Sequence, residues 1–149
     1  MNGQTYCTAT MIRQRIHLDA WDWTIYAYYS VGHYYTEEIM ERLVQIGCTE
    51  KNIERAYRNL SSGHLDTGLT YSNPRKRKTV MVVGYASSGG EFFNSLLHEM
   101  RHVEEHIINA SDLEPYGETP AYLIGDLAKA IYPAIHHQLC DCCRKHKHN

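Results

Sequence analysis

The sequence predicts an α+β fold in which a small twisted sheet packs against helices. Four segments are rich in β-branched and aromatic residues, which favour strands. Four others combine helical spacing of apolar residues with capping signals, which indicates helices. Along the chain these segments follow the order ββααββαα, so we expect one domain in which the sheet packs against the third helix and the helix that follows it.

The four predicted strands differ in how deeply they should be buried. Met11–Leu18 and Trp23–Val31 are separated by the polar segment 19–22. Alternate residues of the second strand, Trp23 and Val31 included, should share one face. Leu69–Ser72 is a short strand, and Lys78–Tyr85 is apolar enough for a well-buried, central position.

The first two predicted helices have recognisable ends. Thr36 is positioned to cap a helix over Glu37–Ile46, which Gly47 should end. Thr49 is positioned to cap a second helix over Glu50–Leu60. A short turn joins the two helices.

The third predicted helix begins directly after the Lys78–Tyr85 strand. Ser88 and Glu91 have the spacing of a capping box, and the helix should run to about Ile108. Apolar residues at helical spacing form a stripe along it: Phe93, Leu96, Leu97, Met100, Val103 and Ile107. This stripe predicts which side packs on the sheet.

The third helix also carries His98-Glu-Met-Arg-His102, an HExxH motif. Side chains four residues apart lie on adjacent turns, with Cβ atoms about 6 Å apart, so two imidazoles can bind one ion. Zinc prefers imidazole and carboxylate ligands, and catalytic zinc keeps one position for water. Glu99 would take the proton of that water as it attacks a carbonyl. The motif therefore predicts a Zn²⁺-dependent hydrolase acting on peptides.

A plainer interpretation of the same residues is a solvated helix face. The polar side opposite the apolar stripe consists of His98, Glu99, His102, Glu105 and His106. Charged and polar residues collect on the exposed side of many amphipathic helices without binding anything. The sequence leaves this alternative open.

A strand followed by an HExxH helix resembles the zincin metallopeptidases. The metzincin pattern requires glycine and histidine where this chain has Glu105 and Ile108, so that subgroup does not fit. His106 lies about 12 Å along the helix from His98, too far to share its ion. The resemblance therefore points to the gluzincin type, in which a carboxylate of the next helix is the third ligand.

The run Glu118-Thr-Pro-Ala-Tyr122 is similar to the third-ligand helix of small bacterial and phage-borne gluzincin-like proteins. The resemblance implies Glu118 as the third zinc ligand, with Asp126 as the alternative. Tyr122 would donate a hydrogen bond to the oxyanion. Glu118 also fits an ordinary acid at a helix start, where the macrodipole favours it.

Two residues of the HExxH helix remain candidates for supporting roles. Glu105 and His106 would orient the ligand imidazoles from the second coordination shell, or simply face solvent.

Composition limits the remaining possibilities. The chain has 149 residues and a net charge of −2, with neither an excess of basic residues nor an apolar run long enough to span a bilayer. Its first residues lack the features of a secretory signal. We expect a cytoplasmic protein whose partner is a peptide or protein substrate, without membrane or nucleic-acid binding.

The cysteines predict a domain boundary near the end of the chain. Cys7 and Cys48 are isolated, whereas Cys140, Cys142 and Cys143 are clustered. An odd, clustered set does not form a disulfide framework, and its spacing fits no paired Cys-x-x-Cys zinc knuckle. We expect one domain over residues 1–139 and a flexible Cys/His-rich tail over 140–149.

Two other functions compete with the peptidase. Residues 36–60 resemble a helix-turn-helix, in which Lys51, Arg55 and Arg58 would face DNA and the basic segment 75–78 would contact phosphates. The negative net charge weighs against this alternative. The other is a zincin-like protein that binds zinc without catalysis.

Overall fold

Apolar residues on both faces of the two inner strands require helices on both sides of the sheet. The computed structural model, which describes residues 11–32, 35–62 and 68–145, has this arrangement. Its strands are β1 (Ile12–Leu18), β2 (Trp23–Val31), β3 (Gly68–Asn73) and β4 (Lys78–Gly84). Its helices are α1 (Thr36–Gln45), α2 (Glu50–Ser62), α3 (Gly89–Ala110), α4 (Glu118–Leu139) and α5 (Asp141–Lys145).

The sheet is mixed, with the strand order β1-β2-β4-β3. β1 pairs with β2 and β3 pairs with β4 in antiparallel fashion, whereas β2 and β4 are parallel. The α+β class, the four strands and the order of the first eight elements are confirmed. So is the central position of β4, which leaves β3 as the edge strand nearest to α3.

Each face of the sheet has its own core. Trp23, Ile25 and Tyr29 of β2 belong to the core that contains the apolar sides of α3 and α4. Tyr28 and Val31 belong to the opposite core, with α1 and α2. The molecule therefore has three layers, with α3 and α4 on one side of the sheet and α1 and α2 on the other.

The prediction that Val31 shares a face with Trp23 is wrong. The pairing register of β2 with β4 shifts between Tyr28 and Val31. Ser30, in this interval, has a φ of +58°. A bulge of this kind inserts a residue and reverses the alternation beyond it, so Val31 joins the core of α1 and α2.

The predicted helix caps of α1 and α2 have mixed outcomes. Thr36 is the first helical residue of α1 and Tyr35 occupies the cap position, so the predicted Thr36 cap is wrong. Gly47 follows the end of α1 with a φ of +85°, as expected of a glycine that ends a helix. The carbonyl of Thr49 accepts a bond from the Ile53 N–H at 2.8 Å, which places Thr49 at the cap of α2.

The start of α3 is fixed by its predicted cap. The hydroxyl of Ser88 accepts a hydrogen bond from the Glu91 N–H at 3.2 Å. The Glu91 carboxylate in turn accepts a bond from the Ser87 hydroxyl at 2.7 Å. The helix extends two residues beyond the predicted end at Ile108.

Part of the predicted Cys/His-rich tail, Asp141–Lys145, forms the helix α5, and residues 146–149 of that tail lie outside the described residues. The Asp141 carboxylate accepts a hydrogen bond from the N–H of Gly89 at 2.7 Å. Arg144 donates to the carbonyl of Ala86 and to the side chain of Gln138. These bonds hold α5 against the beginning of α3.

None of the helices in the described ranges is long and apolar enough to cross a membrane.

Gly68, the first residue of β3, occupies a position where a side chain does not fit. Its φ is +156°, and an added Cβ would lie 1.8 Å from the carbonyl oxygen of Val82 and 3.2 Å from Cγ of Glu99. We predict that Gly68→Ala lowers the free energy of unfolding by about 2–3 kcal/mol. Urea denaturation measures this change.

Gly90→Ala is the matched control, since an added Cβ at Gly90 has no neighbour within 4 Å. Because Gly90 is helical, alanine should leave stability unchanged or raise it by up to about 1 kcal/mol. Equal stabilities of the two variants would contradict the close approach of Gly68 to the Val82 carbonyl.

Candidate metal centre

The two histidines of the HExxH motif converge. Nε2 of His98 lies 3.2 Å from Nε2 of His102, and the rings meet edge to face at 70°. Two nitrogen ligands of a tetrahedral zinc ion, each about 2.0–2.1 Å from it, are about 3.3 Å apart. The imidazole pair therefore has the spacing of two ligands of one ion. Without a metal, the same distance suits a hydrogen bond between the rings.

Glu99, between the two histidines, points into the contact of α3 with β3. It is 2% exposed. The hydroxyl of Thr70 donates a hydrogen bond to its Oε2 at 2.7 Å. A buried carboxylate needs such donors, because its desolvation is otherwise costly. The solvated-face interpretation is therefore wrong for Glu99.

The side of β3 that faces α3 is built from small residues. Gly68 and Thr70 contact Glu99, and Ser72 contacts His106. These alternate residues let the helix approach closely enough for its polar side chains to reach the strand. Thr70 and Ser72 were missed in the sequence. Both are small and polar and lie two residues apart in a strand. This pattern could have indicated a polar contact on one face of that strand.

His106 is anchored to the sheet by a chain of hydrogen bonds. Its Nδ1 lies 2.7 Å from the hydroxyl of Ser72, which lies 2.7 Å from the hydroxyl of Thr79. The indole N–H of Trp23 donates to Thr79 at 2.8 Å. The chain connects the helix surface to the buried core, so the position of His106 depends on the sheet.

The environment of His106 favours its neutral form. Burial lowers its pKa, and the nearby His102 lowers it further, while Glu105 and Glu99 oppose the shift. The His106 ring centre lies 6.4 Å from that of His102. His106 thus stands beside the converging pair and is held by Ser72. Glu105 is exposed, as the solvated-face interpretation expects.

The structure does not bring Glu118 to the two histidines. Glu118 is the exposed first residue of α4. Among residues 11–32, 35–62 and 68–145, no three His, Cys, Asp or Glu side chains could hold one metal ion together. Tyr122 and Asp126 are also exposed on α4. The roles of these three residues remain predictions.

The sheet explains this separation. Glu99 and His106 bind β3, at one edge of the sheet. α4 packs along β1, at the other edge, where Gln14 donates to the Ala130 carbonyl at 2.9 Å. The histidine side of α3 is therefore directed towards the β3 edge, and α4 lies on the opposite flank.

The helices proposed to bind DNA pack on the sheet through Ile39, Leu43 and Leu60. The basic residues of α2 that remain exposed are Lys51, Arg55 and Arg58. Arg77 lies over the Trp23 ring at 5.5 Å and donates to a backbone carbonyl. Arg77, in the basic segment 75–78, thus links the β3–β4 turn to the connection between β1 and β2.

Comparisons of the chain with protein-family models, with curated proteins and with solved structures found no match.

Thr70→Val tests the contact between β3 and Glu99. Valine keeps the shape of threonine and removes the hydroxyl that donates to Glu99. We predict a loss of about 1–3 kcal/mol in the free energy of unfolding, the cost of removing a partner from a buried charged group. Thr70→Ser keeps the hydroxyl and should retain most of the stability. Both free energies are measured by urea denaturation. Equal free energies of unfolding for Thr70→Val and Thr70→Ser would show that the bond to Glu99 does not stabilise the fold.

Proposed function

We propose that this protein is a zinc-dependent peptidase whose metal is bound by His98 and His102. The observation that carries the proposal is the 3.2 Å separation of their Nε2 atoms, beside a buried glutamate on the same helix. Imidazole nitrogen is a ligand that zinc favours. When bound, zinc would act as a Lewis acid that polarises the scissile carbonyl and acidifies water.

Glu99 is the proposed general base. Thr70 holds its Oε2 and so fixes the orientation of the carboxylate at the contact of α3 with β3. In this role Glu99 accepts a proton from the attacking water at a carboxylate oxygen and returns it to the leaving amine.

The third protein ligand is proposed to be Glu118, with Asp126 as the alternative. Support for Glu118 comes from the resemblance of its helix to the third-ligand helix of gluzincin-like proteins. Binding through either residue requires α4 to approach the β3 side of α3. Tyr122, which is 69% exposed, is proposed to donate a hydrogen bond to the oxyanion.

Metal content tests the histidine pair. We predict about one zinc ion per chain in protein purified without chelators and measured by elemental analysis. His98→Ala and His102→Ala should each reduce zinc to background, because each removes one of the two converging nitrogens. His137→Ala, at an exposed position on α4, is the control that should keep its zinc.

The same measurement separates the candidates for the third ligand. Loss of zinc in Glu118→Ala alone supports Glu118, and loss in Asp126→Ala alone supports Asp126. Full zinc in both variants excludes both carboxylates as ligands. Full zinc in both histidine variants would overturn the site itself.

Cleavage of a peptide library tests the role of Glu99. Glu99→Gln keeps the size of the side chain and an oxygen for the Thr70 hydroxyl, so the protein should fold and keep its zinc. We predict a fall in cleavage rate of about 10²–10⁴-fold, the usual contribution of a general base. Glu105→Gln, at an exposed position of the same helix, should cleave at the wild-type rate.

Undiminished cleavage by Glu99→Gln would exclude the general-base role. Zinc bound at His98 and His102 in a wild-type protein that cleaves no peptide would instead support non-catalytic metal binding.

A further inference from the structure

Two cysteines at the junction of α4 and α5 have the spacing Cys-x-x-Cys. Cys140 follows the last residue of α4, and Cys143 lies in the first turn of α5. The N–H of Arg144 donates to the carbonyl of Cys140 at 3.0 Å, which closes a helical turn over these residues. Side chains three residues apart on such a turn are neighbours. On a regular helical turn the Cα atoms of such residues are about 5 Å apart, a spacing that a disulfide bond can span.

The two thiols contact each other. The sulfur of Cys140 accepts hydrogen bonds from the backbone N–H and the thiol of Cys143. It also accepts a hydrogen bond from the backbone N–H of Cys142. These bonds lower the pKa of Cys140. The pKa of Cys143 is raised, first by the bond to Cys140 and then by desolvation. Cys140 is also the more exposed of the two sulfurs, so it is the one that a disulfide substrate in solvent reaches first.

The turn that carries the pair is fixed by the rest of the fold. Asp141 and Arg144 bond to the backbone at the start of α3. Gly89 approaches the end of α4 so closely that an added Cβ would lie 2.4 Å from the carbonyl oxygen of Leu139. Cys140 itself is exposed. The cysteine pair is thus accessible to solvent, on a helical turn that is hydrogen-bonded to the rest of the fold.

We propose that Cys140 and Cys143 form a redox-active dithiol that reduces disulfides of small thiol compounds, a function beyond the proposed peptidase. The Cys140 thiolate attacks one sulfur of the substrate disulfide, forms a mixed disulfide and releases one thiolate. Cys143 then loses its proton to solvent, and its sulfur attacks Cys140. The products are the Cys140–Cys143 disulfide and a second substrate thiolate, so two electrons pass from the protein to the substrate.

The stages of this exchange are separable with oxidised glutathione as the probe. In wild-type protein, peptide mapping by mass spectrometry should find a Cys140–Cys143 disulfide and two released glutathione molecules. Cys143→Ser should stop at a mixed disulfide of glutathione with Cys140, because the resolving thiol is missing. Cys140→Ser should lose the rapid phase of glutathione release.

Cys142→Ser is the matched control, because it removes the intervening thiol and leaves the pair intact. It should form the Cys140–Cys143 disulfide at the wild-type rate. Thermal unfolding of each variant checks that α5 remains folded on α3. Glutathione trapped equally on Cys142 in the Cys143→Ser variant, or a wild-type protein without a Cys140–Cys143 disulfide, would overturn the proposal.

Discussion

Glu99 places a carboxylate at a nearly water-free contact between α3 and the edge strand β3. Such a group is stable only where donors meet it, and Thr70 supplies one. Gly68 leaves the space that the Glu99 side chain fills. The position of α3 on the sheet, and with it the direction in which His98 and His102 point, follows from this contact.

The polar side of α3 therefore has three environments within three turns. His98 is exposed, Glu99 is buried and His106 is anchored through Ser72. A helix face of this kind cannot be described as simply solvated or simply buried. His98 and His102, the proposed metal ligands, lie on the side of α3 that solvent reaches. Glu99 and His106, the proposed base and positioning residue, are held by hydrogen bonds to β3. This division is compatible with a catalytic centre at the β3 edge.

Local interactions account for what the sequence predicted well. The Ser88 cap, the end of α1 at Gly47 and the convergence of His98 with His102 each depend on residues within one or two helical turns. The apolar run of β4 predicted the central position of this strand, because a strand with consecutive apolar residues needs cover on both faces. In each of these cases the structural feature depends on residues that are close together in the chain.

The sequence by itself thus determined the first eight elements, their order and the histidine pair. The tertiary structure decided which partners they meet. The bulge at Ser30 moved Val31 to the other core, and Asp141 bound α5 to Gly89. Placement of α4 along β1, away from the histidines, likewise depends on packing between residues far apart in the chain. Such contacts are governed by the shapes of whole faces, which no local sequence pattern encodes.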